Sequence, residues 1–216
     1  MKPTRTAAPR GRSTPRRRER IAPDRRVADG PSARPSALRS LAAAVACVAA
    51  LAACSPEHDW REIRAEDAHA LVALPAKPAR MTRPIHLETL KVDMTMVGAQ
   101  AAAVAYTVGA VPLPDASDAT RERALAAMRA AMVRNIGGTE RAARPVEVKL
   151  VDPGGGVAGT VRGVEIEATG RMGERDATLI ARFVGSGGWA WQAVVLGPRP
   201  DRELAAQFLD SLRVWP

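Results

Sequence analysis

Between Val146 and Leu196 the chain repeats one pattern four times: "VEVKLV", "VRGVEIEAT", "ATLIARFV" and "WAWQAVVL". Val146, Val148 and Leu150 alternate with Glu147 and Lys149, and Val164, Ile166 and Ala168 alternate with Glu165 and Glu167. A period of two sends successive side chains to opposite faces of a sheet, which is the signature of a strand. "GRMG" (Gly170 to Gly173) and "GSGG" (Gly185 to Gly188) separate the runs, and both suit tight hairpins. Strands joined by such short turns must pair antiparallel. The last two runs are more apolar, which predicts central strands covered on both sides.

Upstream, "WREIR" (Trp60 to Arg64) alternates like a strand. The apolar stretch Ala70 to Leu74 is stopped by Pro75 and Pro78. "LKVDMTMV" sets Leu90, Val92, Met94 and Met96 against Lys91, Asp93 and Thr95, a strand expected to turn at "GAQ" (Gly98 to Gln100) into "AAAVAYTVGAV". "SDATRERALAAMRAAMVRNIGG" predicts a helix. Ser117 or Asp118 caps it, Leu125, Met128, Met132 and Ile136 follow a 3.6-residue period, and Gly137 and Gly138 stop it. Its arginines at 121, 123, 129 and 134 read as a solvated face. A second helix closes the pattern: Pro200 suits a first turn, Asp201 and Glu203 complement the dipole, and Leu204, Phe208 and Leu212 form a stripe. These elements amount to an α+β fold, a largely antiparallel sheet with two main helices packed on it.

Charge is unevenly placed. Residues 1–53 hold 12 of the 32 Lys and Arg but 3 of the 23 Asp and Glu, which accounts for the whole net charge of +9. The first 39 residues are rich in Arg, Pro, Ser and Ala and hold no aromatic residue, so they predict a disordered basic leader. Leu41 to Ala53 is built only of Leu, Ala, Val and Cys. That run is shorter than the ~20 residues of a membrane span and suits a signal-peptide core of about 7 to 15. Residues 40–53 are therefore expected to be a signal-peptide core, removed together with the leader by cleavage before residue 54, residues 54–59 to form a tether, and residues 60–216 to form one globular domain. Removal leaves a chain with no excess of basic residues, which takes away the case for nucleic-acid binding.

"LAAC" (Leu51 to Cys54) resembles the lipobox at which bacterial lipoprotein precursors are diacylated on cysteine and cleaved before it. The resemblance implies that Cys54 becomes a lipidated N-terminus; Cys47, in "AVAC", is a weaker match inside the apolar core. Ser55 stands where an aspartate would imply retention at the inner membrane, so the expected location is the outer membrane, facing the periplasm. The order of elements from Trp60 to Val214, with "ALPAKP" and the closing "WQAVVLG…FLDSLRV", resembles the PsbP-like α/β/α sandwich. That likeness implies a binding module and carries no site residues with it.

"GGGVAGT" (Gly154 to Thr160) contains G-x-G-x-x-G, but a strand follows where a dinucleotide site needs a helix. His58, His69 and His86 are spaced unlike metal ligands, and neither metal nor cofactor is expected. Ser186 lies among glycines but lacks the glycine of a nucleophile elbow two residues earlier, where Val184 stands. Glu165 and Glu167 share a strand face and form a pair of carboxylates that reads as a solvent-facing edge rather than an acid and base. Trp189 and Trp191 also share a face, and core packing is favoured over a stacking platform for sugar or a partner. The expectation is a lipid-anchored, non-catalytic envelope protein that binds or supports other envelope components, with the membrane as its partner through Cys54. The rivals are an envelope hydrolase at Ser186 or the Glu pair, and a cytosolic protein whose basic arm binds nucleic acid.

Overall fold

The computed structural model describes residues 58–87, 90–152 and 154–216. The chain divides after Cys54, and all described residues belong to the unit Ser55–Pro216. The expectations for the leader, the apolar run, Cys47 and Cys54 lie outside the described residues.

Among the described residues, ten strands form one sheet: β1 (Arg61–Ala65), β2 (Ala70–Leu74), β3 (Ala79–Leu87), β4 (Leu90–Ala101), β5 (Val104–Pro112), β6 (Thr139–Val151), β7 (Val157–Met172), β8 (Arg175–Ser186), β9 (Trp189–Gly197) and β10 (Arg213–Val214). Their spatial order is β1-β2-β10-β6-β7-β8-β9-β5-β4-β3. Every pairing is antiparallel except that of β10 with β6. Two α-helices join it among the described residues, α1 (Asp118–Asn135) and α2 (Arg202–Asp210), with a short 3₁₀ turn at Glu66–Ala68.

This corrects the α+β reading. The described residues are mostly β, a ten-stranded sheet curled into a half-barrel, and not a PsbP-like sandwich with two helices packed on a sheet. The curl is visible in the core. Ala70, Val72 and Leu74 of β2, near one end of the strand order, share a cluster with Val97 of β4 and Tyr106 of β5, near the other. Phe208 and Leu209 of α2 fill the same cluster, so α2 lies inside the curl. The alternate residues of β7 and β8, among them Ile166, Leu179, Ala181 and Phe183, face the other way and pack on Ala124, Ala127 and Met128 of α1. The strongly apolar β8 and β9 are buried on both faces, as expected of central strands.

Three strands were not foreseen, and proline explains one of them. Pro84 sits inside β3, which is an edge strand, where a missing N–H is tolerated. The turn expected at Gly98 to Gln100 is also corrected. β4 runs on to Ala101 and turns at Ala102, whose φ is +51°. Gly98 instead marks a close approach: a Cβ there would lie 2.6 Å from the Tyr106 carbonyl oxygen. Ser117 caps α1 as read, its Oγ accepting from the Thr120 N–H (3.2 Å). In α2 the cap is Asp201 itself, whose Oδ1 accepts from the N–H groups of Glu203 and Leu204 (2.8 and 3.0 Å). The buried stripe of α2 is Ala205, Phe208 and Leu209 rather than one through Leu204.

Candidate functional site

A two-residue turn at Gly173–Glu174 fixes the β7–β8 register and sets Glu165 opposite Arg182. The β6–β7 register sets Arg144 opposite Glu165 on its other side. All three side chains therefore share the face that carries α2. Arg182 Nε donates to Glu165 Oε2 (2.6 Å), while Arg144 Nε and Nη2 both donate to Oε1 (2.9 and 2.6 Å). Glu165 and Arg182 are buried, 9% and 6% exposed, and charges at that depth survive only when paired. Arg182 also reaches α2: its Nη1 donates to the Leu209 carbonyl oxygen (2.9 Å) and its Nη2 to Asp210 Oδ1 (2.5 Å). It thereby satisfies the end of a helix whose last carbonyls have no partner within it.

The other end of α2 is held in the same manner. Arg202 grips Glu167 with two parallel bonds, Nη1 to Oε2 (2.9 Å) and Nη2 to Oε1 (2.7 Å). These bonds, and then the carboxylate charge, push the Arg202 guanidinium further above its ordinary range. Between the two clamps the facing residues are small. Ala142 of β6 and Ala205 and Ala206 of α2 leave a cavity of about 300 Å³, floored by Ile180 and Leu209 and rimmed by Arg144 and Arg202. The rim guanidiniums are open to solvent, with side chains 64% and 74% exposed.

Glu165 and Glu167 are thus not the solvent-facing edge expected of them. Each is held by guanidinium, and they border a groove. Arg144, Arg182 and Arg202, which complete the site, escaped the sequence reading. A signal was present, because Arg182 interrupts the apolar run "ATLIARFV" and a charge there demands a partner. Ser186 ends β8 four residues beyond Arg182, about 13 Å away at the rise of a strand, so it does not converge with the Glu pair.

The tryptophans belong to a different cluster. Trp191 is fully buried and its indole N–H donates to the Ala68 carbonyl oxygen (2.8 Å). Trp189 is half-buried and stacked by two rings, His69 at 4.1 Å and Trp191 at 6.2 Å between centroids. His69 also stacks on Trp215 (5.6 Å), which lies under the Arg64 guanidinium (4.3 Å). His69 takes a left-handed conformation, φ +48°, and its Nδ1–H donates to the Trp215 carbonyl oxygen (3.2 Å). The rings engage one another, which is internal packing rather than an open platform. His58 stacks on Trp60 (6.4 Å) and His86 is exposed on β3, so the histidines go to separate places. Among the described residues, no group of three His, Cys, Asp or Glu side chains is placed to hold a metal ion. Nor is any described helix long and apolar enough to cross a membrane.

The arginines of α1 are only partly a solvated face. Arg129 forms a two-bond pair with Glu140, and Arg121 pairs with Asp118 and donates to the Gly187 carbonyl oxygen (2.9 Å).

No protein-family model and no curated protein matches this sequence. Among solved structures, the chain is similar to the crystal structure of a protein of unknown function from Pseudomonas aeruginosa. The two are 12% identical, the match covers 68% of this chain and 94% of that one, and the TM-score is 0.33, a likeness too distant to carry an argument.

Proposed function

We propose that the chain is a lipid-anchored envelope protein, attached through Cys54, whose sheet domain is a non-catalytic binding module with the groove beneath α2 as its ligand site. The observation that carries the anchor is the 13-residue apolar run Leu41–Ala53, followed at once by Cys54 to complete "LAAC". Two or three acyl chains on Cys54 would hold the domain at a bilayer, since each buried CH₂ contributes about 0.8 kcal/mol and one chain alone binds only marginally. The absence of chemistry in this reading is supported by the groove itself. Both of its carboxylates are occupied by guanidinium, so neither is placed as a general base, and Ser186 stands apart from them.

Labelling with radioactive palmitate, followed by fractionation of the host cells, tests the anchor. Label in the membrane fraction is expected for the wild type and none for Cys54→Ala. Label kept by the variant, or a full-length chain with an unmodified thiol in the soluble fraction, overturns it. The second outcome would revive the basic arm as a nucleic-acid element.

A further inference from the structure

We propose that the groove between α2 and β6–β7 takes a small monocarboxylate with a compact apolar body, its carboxylate seated on Arg144. The inference rests on reading the domain as a binding module and adds the ligand class.

Three arginines and two glutamates line the cavity, Arg144, Arg182, Arg202, Glu165 and Glu167, and Asp210 beside it balances the third arginine through Arg182. Glu167 is matched by Arg202 alone, with one oxygen to each nitrogen. Glu165 is divided between two guanidiniums. Arg182, nearly buried, takes Oε2 and is held further by α2, so it stays in place. Arg144, at the rim, places both its donors on the single oxygen Oε1. A guanidinium prefers two parallel bonds to the two oxygens of one carboxylate. Arg144 is therefore the group whose pairing is incomplete and whose position allows a second carboxylate to reach it. A ligand carboxylate would offer Arg144 the fork that Glu165 cannot, while Glu165 keeps Arg182.

The remainder of the groove selects the ligand's body. Ala142, Ala205, Ala206, Ile180 and Leu209 offer no side-chain polar group, so the part that enters must be apolar. A volume of about 300 Å³ lies at the small end of ligand sites, which suits one ring or a short branched chain. A doubly charged or wholly polar anion would gain nothing from that lining.

Isothermal titration of the protein purified from its host with phenylacetate, and with its neutral isostere phenylacetamide, is the test. Saturable binding of phenylacetate is expected, with the amide at least tenfold weaker. Arg144→Gln should weaken phenylacetate at least tenfold and leave the amide unchanged. Ala206→Leu, a change at an exposed groove position, should weaken both, with circular dichroism confirming an intact fold. No saturable binding of phenylacetate to folded wild type overturns the proposal. So does equal binding of acid and amide, unchanged binding in Arg144→Gln, or equal competition by inorganic phosphate, which would mark a plain anion site. Repeating the titration with Cys54→Ala separates the two claims: binding kept by an unlipidated protein leaves the groove standing whatever becomes of the anchor.

Discussion

Arg182 shows how one side chain can serve strand, helix and groove together. Its three donors reach Glu165, the Leu209 carbonyl and Asp210, and its own side chain is 7% exposed. Removing one member of a buried pair strands the other, which typically costs about 3–5 kcal/mol. Arg144 still holds Glu165 after such a change, so Arg182→Met should fall near 3 kcal/mol, at the lower end of that range. The double variant Glu165→Leu/Arg182→Met should recover part of the loss, because no stranded carboxylate remains. Urea unfolding of the three proteins checks this, and a double variant less stable than Arg182→Met would mean that the helix-end contacts outweigh the pair. The pairing was legible in principle. The two-residue turn at Gly173–Glu174 fixes which residues face each other, and counting outward from it reaches Glu165 and Arg182, whereas a turn centred inside "GRMG", as the sequence suggests, would set Glu165 opposite Thr178. Alternating glutamates look like a water-facing edge in sequence, and only the arginines on the strands opposite show that Glu165 is not one. No such count could have revealed Arg202, because its contact with Glu167 depends on how α2 lies across the sheet.

Among the elements, α1 carries the most locally determined structure. Ser117 caps it, and Asp115 reinforces the cap by accepting from the Ser117 N–H (2.8 Å) and the Thr120 hydroxyl (3.0 Å). Those bonds, led by the one from Ser117, hold the Asp115 carboxyl below its ordinary pKa. A carboxyl depressed by folding stabilises the fold fully above its unfolded pKa, and the contribution is lost as pH falls through the folded value. Acidification from pH 7 to below about 4 should therefore lower the thermal midpoint of the wild type more than that of Asp115→Asn. Equal shifts by differential scanning calorimetry would show that Asp115 does not contribute in this way. The helix could be read from sequence because its cap, its period and its terminal glycines are all local. β3 could not. Its residues are mostly exposed, so no buried face imposes a period of two, and Pro84 imitates a break where an edge strand merely lacks a bond. Gly98 misled in the opposite direction, since a glycine required by a close neighbour looks the same in sequence as one required by a turn.

For the molecule as a whole, continuity of the sheet depends on the two residues of β10. Arg213 and Val214 pair with Leu71 and Ala70 on one side and with Lys149 and Leu150 on the other, so among the described residues the hydrogen-bonded ladder joins β1 and β2 to the remaining strands only through them. Trp215 adds a bond from its N–H to the His69 carbonyl oxygen (3.2 Å). Deleting residues 213–216 should release β1 and β2 while β7, β8 and β9 keep their ladder. Hydrogen exchange followed by mass spectrometry should show faster exchange in peptides covering 61–74 and little change in those covering 175–197. Equal acceleration in both would mean that the sheet opens as one unit. The antiparallel meander of β6 to β9 was legible because each pairing is settled by an adjacent turn. The half-barrel was not, since it arises from pairings between segments distant in sequence and from a parallel rung too short to leave a pattern.

His69 and Trp215 stand 146 positions apart. A ribosome delivers β1 and β2 early, and their neighbours in the sheet wait until Val214 has emerged. Until then one hydrogen-bonding edge of β2 has no rung to lie against, although its apolar face can already meet Val97 and Tyr106, and a chain threaded outward from its front end keeps that edge open through nearly all of its passage.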